Sequence, residues 1–212
     1  LRPGQIRDSN GPMLAAAVAA SGGRVVSMAR VGDRERATYE AIAEAAATAD
    51  LVLTSGGVSV GPHDLVRAAA AEAGFAPLLW RVRQKPGKPL FVAAREATLL
   101  VGLPGNPVSA LSCFAHYVHP WLQAAAGRPF DWHRRRGRLA EPVAARDGRT
   151  HLVRVRLEAD GVHPLARQAS HMLTTISRAH GYLVVEPETA LDAGSEVELF
   201  LYPWQATHNP RP

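Results

Sequence analysis

Three loops carry the residue types and spacings best suited to chemistry, and each has the composition of an anion site. The first, the glycine loop, runs from Thr54 to Asp64 and places the adjacent glycines Gly56 and Gly57 among hydroxyl side chains. Glycines let backbone amides approach an anion closely, hydroxyls donate to phosphate oxygens, and a following helix start adds partial positive charge. The residues of this loop that we expect to bind a phosphorylated ligand are Thr54, Ser55, Gly56, Gly57, Ser59 and Gly61.

Asp64 ends the glycine loop at the predicted start of a helix. Its position alone favours an N-cap, in which the carboxylate accepts a hydrogen bond from the first helical turn. The alternative is a carboxylate that holds a divalent cation against a phosphate, since magnesium prefers oxygen ligands. The residue type and its spacing leave both interpretations open.

The second loop, the lysine loop at 84–89, contains Lys85 and Lys88, which are the only lysines in the chain. The chain has 24 lysine and arginine residues in total, and all of them except these two are arginine. A chain this rich in arginine is expected to use lysine where a compact ammonium charge is needed. Prolines stiffen the turn that presents both side chains. The pattern therefore favours an oxyanion or phosphate contact over a solvated turn.

The third loop, the proline loop at 102–110, again leads from a predicted strand into a helix. Two prolines rigidify it, glycines permit close ligand approach, and the helix start offers free N–H groups. Together, three such loops at one sheet edge predict a phosphorylated ligand.

The elements that must position these loops alternate between strand and helix. Strands are predicted at 24–31, 51–54, 75–82, 89–93 and 98–101, and helices at 8–21, 34–48, 64–74 and 107–125. This alternation predicts a three-layer α/β domain with a mostly parallel sheet, which binds ligands beyond the carboxyl ends of its strands. Later strand-like segments at 137–144, 151–159, 162–165, 182–186 and 195–202 are separated by Asp-Gly and similar turns, which predict a small antiparallel β domain. The expected division is 1–128 for the α/β domain, 129–136 for a linker, 137–204 for the β domain and 205–212 for a disordered tail.

Composition narrows the class of protein. The chain has 212 residues, 47% of them hydrophobic, and a net charge of +5 that favours anionic partners. The lone cysteine, Cys113, excludes an intrachain disulfide and favours a reducing cytoplasm; we expect it in the core. No apolar stretch reaches the roughly 18 residues needed to cross a membrane, and no signal sequence opens the chain. A start at Leu1 without methionine suggests a fragment or a processed chain.

Two weaker patterns have plain structural explanations. The basic run at 134–138 raises the alternative of nucleic-acid binding, but it lacks interleaved aromatic residues and any reading motif. His116 and His119 are three residues apart on a predicted helix, which is a spacing for metal ligands. Since no third ligand is placed near them, we expect structural or surface roles.

Taken in order, the motifs resemble the MoeA proteins, the molybdenum insertion enzymes of molybdenum cofactor biosynthesis, and the similar E domain of gephyrin. The motifs are Gln-Ile-Arg-Asp-Ser-Asn at 5–10, the glycine loop, Lys-Pro-Gly-Lys-Pro at 85–89, the proline loop and Gln-Ala-Ser-His at 168–171. The similarity extends to about residue 202. It implies a transferase that uses magnesium, inserts molybdate into the dithiolene of adenylylated molybdopterin and releases AMP. It also implies a cytoplasmic homodimer that contacts other proteins of the same biosynthesis.

The resemblance implies roles for single residues. Asp64 corresponds to the family's essential acidic residue and would hold magnesium, and Asp33 lies near another functional aspartate and is the second candidate metal ligand. Lys85 and Lys88 correspond to lysines near the molybdate and phosphate site, and with Asp64 they form the expected catalytic group. The remaining residues expected at the pterin pocket are Asp8, Ser9, Asn10, Pro104, Gly105, Asn106, Pro107, Ser109, Arg154 and Ser170.

The resemblance also has departures and alternatives. Family members carry a Gly-Asp-Glu-Leu-like motif and two further domains upstream. Unless that part is supplied in trans, we expect this chain alone to bind ligand poorly and to turn over slowly or not at all. One alternative is a relative that adenylylates molybdopterin, which has a Gly-Gly-Thr-Gly loop where this chain has Gly57-Val58-Ser59-Val60 and which lacks the β domain. The other is a non-catalytic binding or scaffold module, which retention of Asp64 and both lysines disfavours.

Overall fold

The computed structural model describes residues 7–58, 65–130, 132–166, 168 and 173–206. Its first half contains a four-stranded sheet in the order β1-β5-β4-β2. The strands are β1 (Leu51–Ser55), β2 (Ala76–Trp80), β4 (Phe91–Arg95) and β5 (Thr98–Leu103), with the two-residue β3 (Gln84–Lys85) between β2 and β4. The helices are α1 (Asn10–Ala20), α2 (Glu35–Ala46), α3 (Leu65–Glu72), α4 (Pro107–Cys113) and α5 (His119–Ala125), and a π-helical turn (Phe114–Val118) joins the last two.

Alternation along β5 explains the layering of this half. Leu100 belongs to a buried cluster with Ile42 of α2 and Val66 of α3. Its neighbour Val101 belongs to another cluster, with residues of α1 and α4. Because successive side chains of a strand point to opposite faces, helices cover both faces of the sheet. The predicted α/β layering is confirmed.

The sheet departs from the prediction in two respects. Only the β1–β5 pairing is parallel, while β5–β4 and β4–β2 are antiparallel, so the sheet is mixed rather than mostly parallel. The strand predicted at 24–31 is wrong, because that segment has no strand pairing within the described residues. Its apolar residues Val26 and Met28 are 48% and 64% exposed. An apolar pattern favours a strand, but a strand forms only where a neighbour pairs with its backbone.

The second half forms a sheet in the order β3-β8-β10-β12-β6, with β9 paired to β8 and a separate β11-β7 pair. Its elements are β6 (Arg134–Arg138), β7 (Val143–Ala145), β8 (Thr150–Glu158), β9 (Gly161–Pro164), α6 (Leu173–Arg178), β10 (Gly181–Val185), β11 (Thr189–Leu191), β12 (Glu196–Leu201) and α7 (Pro203–Ala206). Every pairing among β6–β12 is antiparallel, as the Asp-Gly turns predict. Residues 134–136, expected in a linker, lie in β6, and residues 205–206, expected in a disordered tail, lie in α7.

The two halves share one buried core. Leu103 and Phe114 of the first half pack in one cluster with Leu152, Tyr182 and Tyr202 of the second. The strand β3 strengthens this junction, because it belongs to the first half in sequence and pairs in parallel with β8. The site residues of the two halves are therefore held in a defined relation to each other. No helix in the described part of the chain is long and apolar enough to cross a membrane.

Three residues weighed as chemical candidates have structural roles. Cys113 is fully buried, as expected. His116 Nδ1 lies 2.7 Å from the hydroxyl of Tyr182, and His119 Nδ1 lies 2.9 Å from Oγ of Ser21. Burial lowers the pKa of both imidazoles, which keeps them neutral. Within the described residues they do not join a group of metal ligands.

Candidate functional site

The glycine loop and the proline loop meet at one edge of the first sheet. The parallel strands β1 and β5 end side by side, with Ser55 opposite Leu103. The amide of Gly56 donates to the carbonyl of Leu103 at 3.0 Å. A Cβ added to Gly105 would lie 3.5 Å from the Cα of Gly56, so the two loops approach backbone to backbone. This is the edge at which an α/β sheet binds its ligands.

Asn10 joins these two loops to the first helix. Its Nδ2 donates to Oγ of Ser55 at 2.7 Å and to the carbonyl of Gly105 at 2.8 Å. Ser55 Oγ in turn donates to the carbonyl of Pro104 at 3.3 Å. The carboxylate of Asp8 accepts from the amides of Asn10 and Gly11 at 3.1 and 3.2 Å, and so fixes the chain that leads into α1. We call Asn10 and its two partner residues the asparagine clamp.

Two buried oxygen atoms at this edge have no hydrogen-bond partner among the described residues. They are Oδ1 of Asn10 and Oγ1 of Thr54. A buried polar atom without a partner costs free energy, so such atoms point to a group that completes them. Both are hard oxygen atoms, the type that binds magnesium or accepts a hydrogen bond from a ligand hydroxyl.

The glycines of the glycine loop have a conformational reason to be there. Gly56 and Gly57 adopt φ values of +89° and +68°, a region that side chains other than glycine enter at a cost. This lets the backbone reverse directly after β1. Ser59, Gly61 and Asp64, predicted in the same loop, lie outside the described residues, as does Ser170 of the β domain.

The proline loop contains one confirmed feature and one residue whose role stays a prediction. Pro107 occupies the first turn of α4, as predicted for a proline at a helix start, and Asn106 is the N-cap residue. Ser109 was expected to face the ligand. It is only 5% exposed and lies in α4, where all residues from 108 to 113 are buried.

The lysine loop spans the junction between the two halves. Gln84 and Lys85 form β3 and pair with Thr150 and His151 of β8. The ammonium of Lys85 lies 3.4 Å from Oδ2 of Asp147. Arg149 and His151 contact the same carboxylate, and the hydrogen bonds from Arg149, His151 and Lys85 hold the pKa of Asp147 well below its usual range. Lys85 therefore belongs to an ion-pair cluster that sequence patterns did not indicate.

Lys88 lies at the edge where the other two loops meet. Its carbonyl accepts from the amides of Val82 at 3.1 Å and Leu90 at 3.0 Å. It lies three residues before Phe91, the first residue of β4, which pairs with Gly102 near the end of β5. The side chain of Lys88 is exposed, and no carboxylate of the described residues forms an ion pair with it. Lys88 can thus offer its charge to an anion at this edge.

A cavity of about 360 Å³ opens beside the lysine loop. Residues of both halves line it, among them Lys85, Pro86, Glu141, His151, Leu165 and Gln168. The amide side chain of Gln168 is held by the backbone of Arg154, with Arg154 N donating at 3.1 Å and Gln168 Nε2 donating back at 2.9 Å. The cavity combines apolar walls with a few polar groups, among them the ammonium of Lys85 and the carboxylate of Glu141, which is the usual composition of a small-molecule pocket.

The side chains of Arg154 and Asp33 take no part in the contacts described so far, and their roles in the site stay predictions. The side chain of Arg154 is wholly buried in β8, on the face that packs toward Tyr182 and Tyr202, and burial lowers the pKa of its guanidinium. It does not line the cavity. Asp33 is exposed in the segment between α1 and α2 and belongs to no group of three metal-type ligands within residues 7–58 or the other described ranges.

One metal-type group does occur in the described part of the chain, on the β8–β9 turn. Glu158, Asp160 and His163 bring their ligand atoms within 4.8 Å of one another. These side chains already have partners, since Arg156 pairs with Glu158 at 2.7 Å and His163 with Asp160 at 3.0 Å. The group is exposed and lies outside the three loops, so we leave it out of the candidate site.

Comparisons with known proteins show what the chain is similar to. Residues 1–124 match the family described as a probable molybdopterin binding domain, and residues 136–202 match the MoeA C-terminal region (domain IV). The chain is 36% identical over 208 residues to molybdopterin molybdenumtransferase 2 of Mycobacterium tuberculosis, covering 94% of this chain and 51% of that protein. It is 41% identical over 135 residues to the molybdopterin molybdenumtransferase of Nostoc, covering 62% of this chain and 31% of that protein.

A solved structure shows the same likeness. The molybdopterin biosynthesis MoeA protein of Pyrococcus horikoshii superposes with a TM-score of 0.82 at 31% identity, covering 95% of this chain and 49% of that one. The chain thus spans about half the length of the relatives that it matches over nearly its whole extent.

Proposed function

The chain belongs to the MoeA family of molybdopterin-binding proteins, and on that premise we propose that it forms part of a molybdenum insertion enzyme. The proposed reaction inserts molybdate into the dithiolene of adenylylated molybdopterin and releases AMP. The observation that carries the proposal is the meeting of the asparagine clamp, the glycine loop and the proline loop at one sheet edge, with Lys88 beside them.

The chemistry requires the stabilisation of anions rather than a protein nucleophile. Molybdate, the phosphates of the substrate and the departing AMP are all negatively charged. Lys88 supplies a compact positive charge, and the backbone amides of the glycine loop supply fixed dipoles. Such preorganised charge stabilises a transition state without reorganising solvent. We assign Lys85 to the same site, because it lines the cavity beside the lysine loop.

Magnesium is part of the proposal. Asn10 Oδ1, a buried oxygen without a partner in the described residues, fits a hard cation at the clamp. We propose that Asp64 holds the ion together with oxygens of this kind, and we keep Asp33 as a second ligand candidate. When bound, magnesium would neutralise phosphate charge during AMP release. The chain's own residues would orient the substrate against it.

The assembly and location of the protein are proposals of the same kind. We propose a homodimer that meets other molybdenum cofactor biosynthesis proteins in the cytoplasm. Exposed apolar side chains on 25–31 and on β2 provide surface that association would cover, Leu78 being 64% exposed. The reduced state of Cys113 fits a cytoplasmic location.

Release of AMP separates an insertion enzyme from a scaffold module. The assay supplies the chain with the upstream domains of the family in trans, together with adenylylated molybdopterin, molybdate and magnesium. It compares wild type with Lys88→Ala, Asp64→Ala and Arg178→Ala. We expect Lys88→Ala to slow AMP release at least about tenfold, since it removes a charge aimed at the reacting anions. Arg178 is an exposed cation at the end of α6 and serves as the matched control, so its variant should keep the wild-type rate. Substrate that binds to wild type without releasing AMP would assign the chain to the binding or scaffold class.

A further inference from the structure

The lysine loop is held from behind by a buried pair of side chains that no motif indicated. We infer that Gln84 and Tyr117 are positioning residues for this loop, and that their hydrogen bond determines where Lys88 presents its charge. The inference depends on the proposed function in one respect, which is that Lys88 binds an anion.

Gln84 uses both ends of its amide. The side chain is 5% exposed, and its Nε2 donates to the carbonyl of Pro86 at 3.0 Å. Its Oε1 accepts a short hydrogen bond from the hydroxyl of Tyr117. Burial raises the pKa of Tyr117 to about 12, so the phenol keeps the proton that it donates. The amide thus connects the loop backbone to the helical segment beneath it.

The contact between loop and helix leaves no free space. Gly87 has a φ of +101°, and a Cβ at this position would lie 2.4 Å from Sγ of Cys113 and 2.8 Å from Nε2 of Gln84. The thiol of Cys113 donates weakly to the carbonyl of Gly87 at 3.6 Å. Cys113 and Tyr117 are four residues apart on the helical segment, so both face the loop. The backbone from 84 to 87 is therefore fixed directly before Lys88.

The π-helical turn presents the side chain that contacts the lysine loop. Tyr117 lies within the turn Phe114–Val118, which joins α4 to α5. Such turns are rare inside α-helices and occur frequently at functional sites. Here, neighbouring residues of the turn serve two different elements: His116 contacts Tyr182 of β10, and Tyr117 contacts Gln84 of β3. The turn thus holds the lysine loop in place relative to both halves.

The lysine content of the chain permits a direct test. Because Lys85 and Lys88 are the only lysines, reductive ¹³C-methylation labels these two side chains and the N-terminal amine, and it preserves their charges. Lys85→Arg and Lys88→Arg assign the two lysine signals. The labelled chain is compared as wild type, Tyr117→Phe, Gln84→Met and Tyr39→Phe, and molybdate is titrated into each. Tyr39 stacks with Arg36 on α2, away from the loop, and gives the matched loss of one phenolic hydroxyl.

We expect Tyr117→Phe and Gln84→Met to shift or broaden the Lys88 signal while the melting curve stays cooperative. Each should weaken molybdate binding about fivefold, the effect of about one lost hydrogen bond. Tyr39→Phe should change neither property. Unchanged Lys88 signals and unchanged molybdate affinity in both variants would overturn the inference.

The test also separates this inference from the proposed function. If wild type binds no molybdate, the oxyanion role of the lysines fails, while a shifted Lys88 signal in the variants still supports positioning. If Tyr117→Phe does not fold, Gln84→Met interrupts the same contact from the loop side and decides the question alone.

Discussion

The asparagine clamp makes a quantitative prediction, because a single side chain joins three segments of the candidate site. Replacement of Asn10 by alanine removes its donors to Ser55 and Gly105, at 2.7 and 2.8 Å. Each such bond contributes about 1 kcal/mol to folding. Alanine has a higher helix propensity than asparagine, which offsets roughly 0.5 kcal/mol. The expected loss in the free energy of unfolding is therefore about 1.5 kcal/mol.

The assay is urea denaturation followed by circular dichroism, in which the midpoint should fall without a change in slope. Ser9→Ala is the matched control, because Ser9 is the N-cap residue of α1 and makes no side-chain capping bond. It should stay within about 0.5 kcal/mol of wild type. Asn10→Asp preserves the size of the side chain but replaces the donor to the Gly105 carbonyl with an acceptor, so it should destabilise at least as much as alanine.

A loss below about 0.5 kcal/mol for Asn10→Ala would refute this reasoning. It would mean that the clamp adds nothing to the folded state beyond what water supplies. Equal losses for Asn10→Ala and Ser9→Ala would also contradict it, since the effect would then belong to the helix start. Because the clamp holds the two loops together, Asn10→Ala should also weaken the binding of adenylylated molybdopterin.

Three further predictions follow from buried groups. Gly87→Ala should destabilise the fold by about 2 kcal/mol or more in urea denaturation. Gly194→Ala is the control, because Gly194 has a similar φ of +85° with open space around it, and it should destabilise the fold clearly less. Equal losses in the two variants would exclude the clash with Cys113. Burial raises the pKa of the Cys113 thiol to about 12, so an aromatic disulfide reagent should react with it only as fast as the chain unfolds, and rapid reaction in native buffer would contradict its burial. Since burial lowers the pKa values of His116 and His119, stability present above pH 6.5 should be lost as the pH falls below it, when the unfolded chain gains protons that the folded one excludes. Asp147 does not cause this change, because its lowered pKa keeps the carboxylate ionised between pH 7 and 5. A His116→Gln/His119→Gln variant should therefore show a flatter dependence of stability on pH. An identical profile would show that other groups are responsible.

Local patterns predicted the parts of the fold that depend on neighbours in sequence. The apolar run of β1, the glycines after it and Pro107 at a helix start all act over a few residues, and the structure places them as expected. The strand predicted at 24–31 required a pairing partner, which no local pattern reveals. An exposed extended segment and a strand have the same apolar alternation until a neighbour is known.

In the candidate site, too, local features could be predicted from the sequence and long-range contacts could not. The glycine and proline loops could be predicted to meet, because parallel strands end at the same sheet edge. The pairing of Gln84 with Thr150 joins residues far apart in the chain, and so do the contacts of Gln84 with Tyr117 and of Lys85 with Asp147. Only the family resemblance predicted Arg154 at the pocket, and its complete burial depends on packing that no local pattern reveals.

The central claim is that these loops and the two lysines form the binding site for a phosphorylated pterin. Equilibrium binding of adenylylated molybdopterin to the purified chain, with magnesium and with the upstream domains of the family supplied in trans, tests it most directly when wild type is compared with Lys85→Ala/Lys88→Ala. The double variant should remain folded, because Arg149 and His151 still pair with Asp147 after Lys85 is removed. We predict saturable binding by wild type and at least about tenfold weaker binding by the double variant. Equal affinity in the two proteins, or no binding by folded wild type, would contradict the claim.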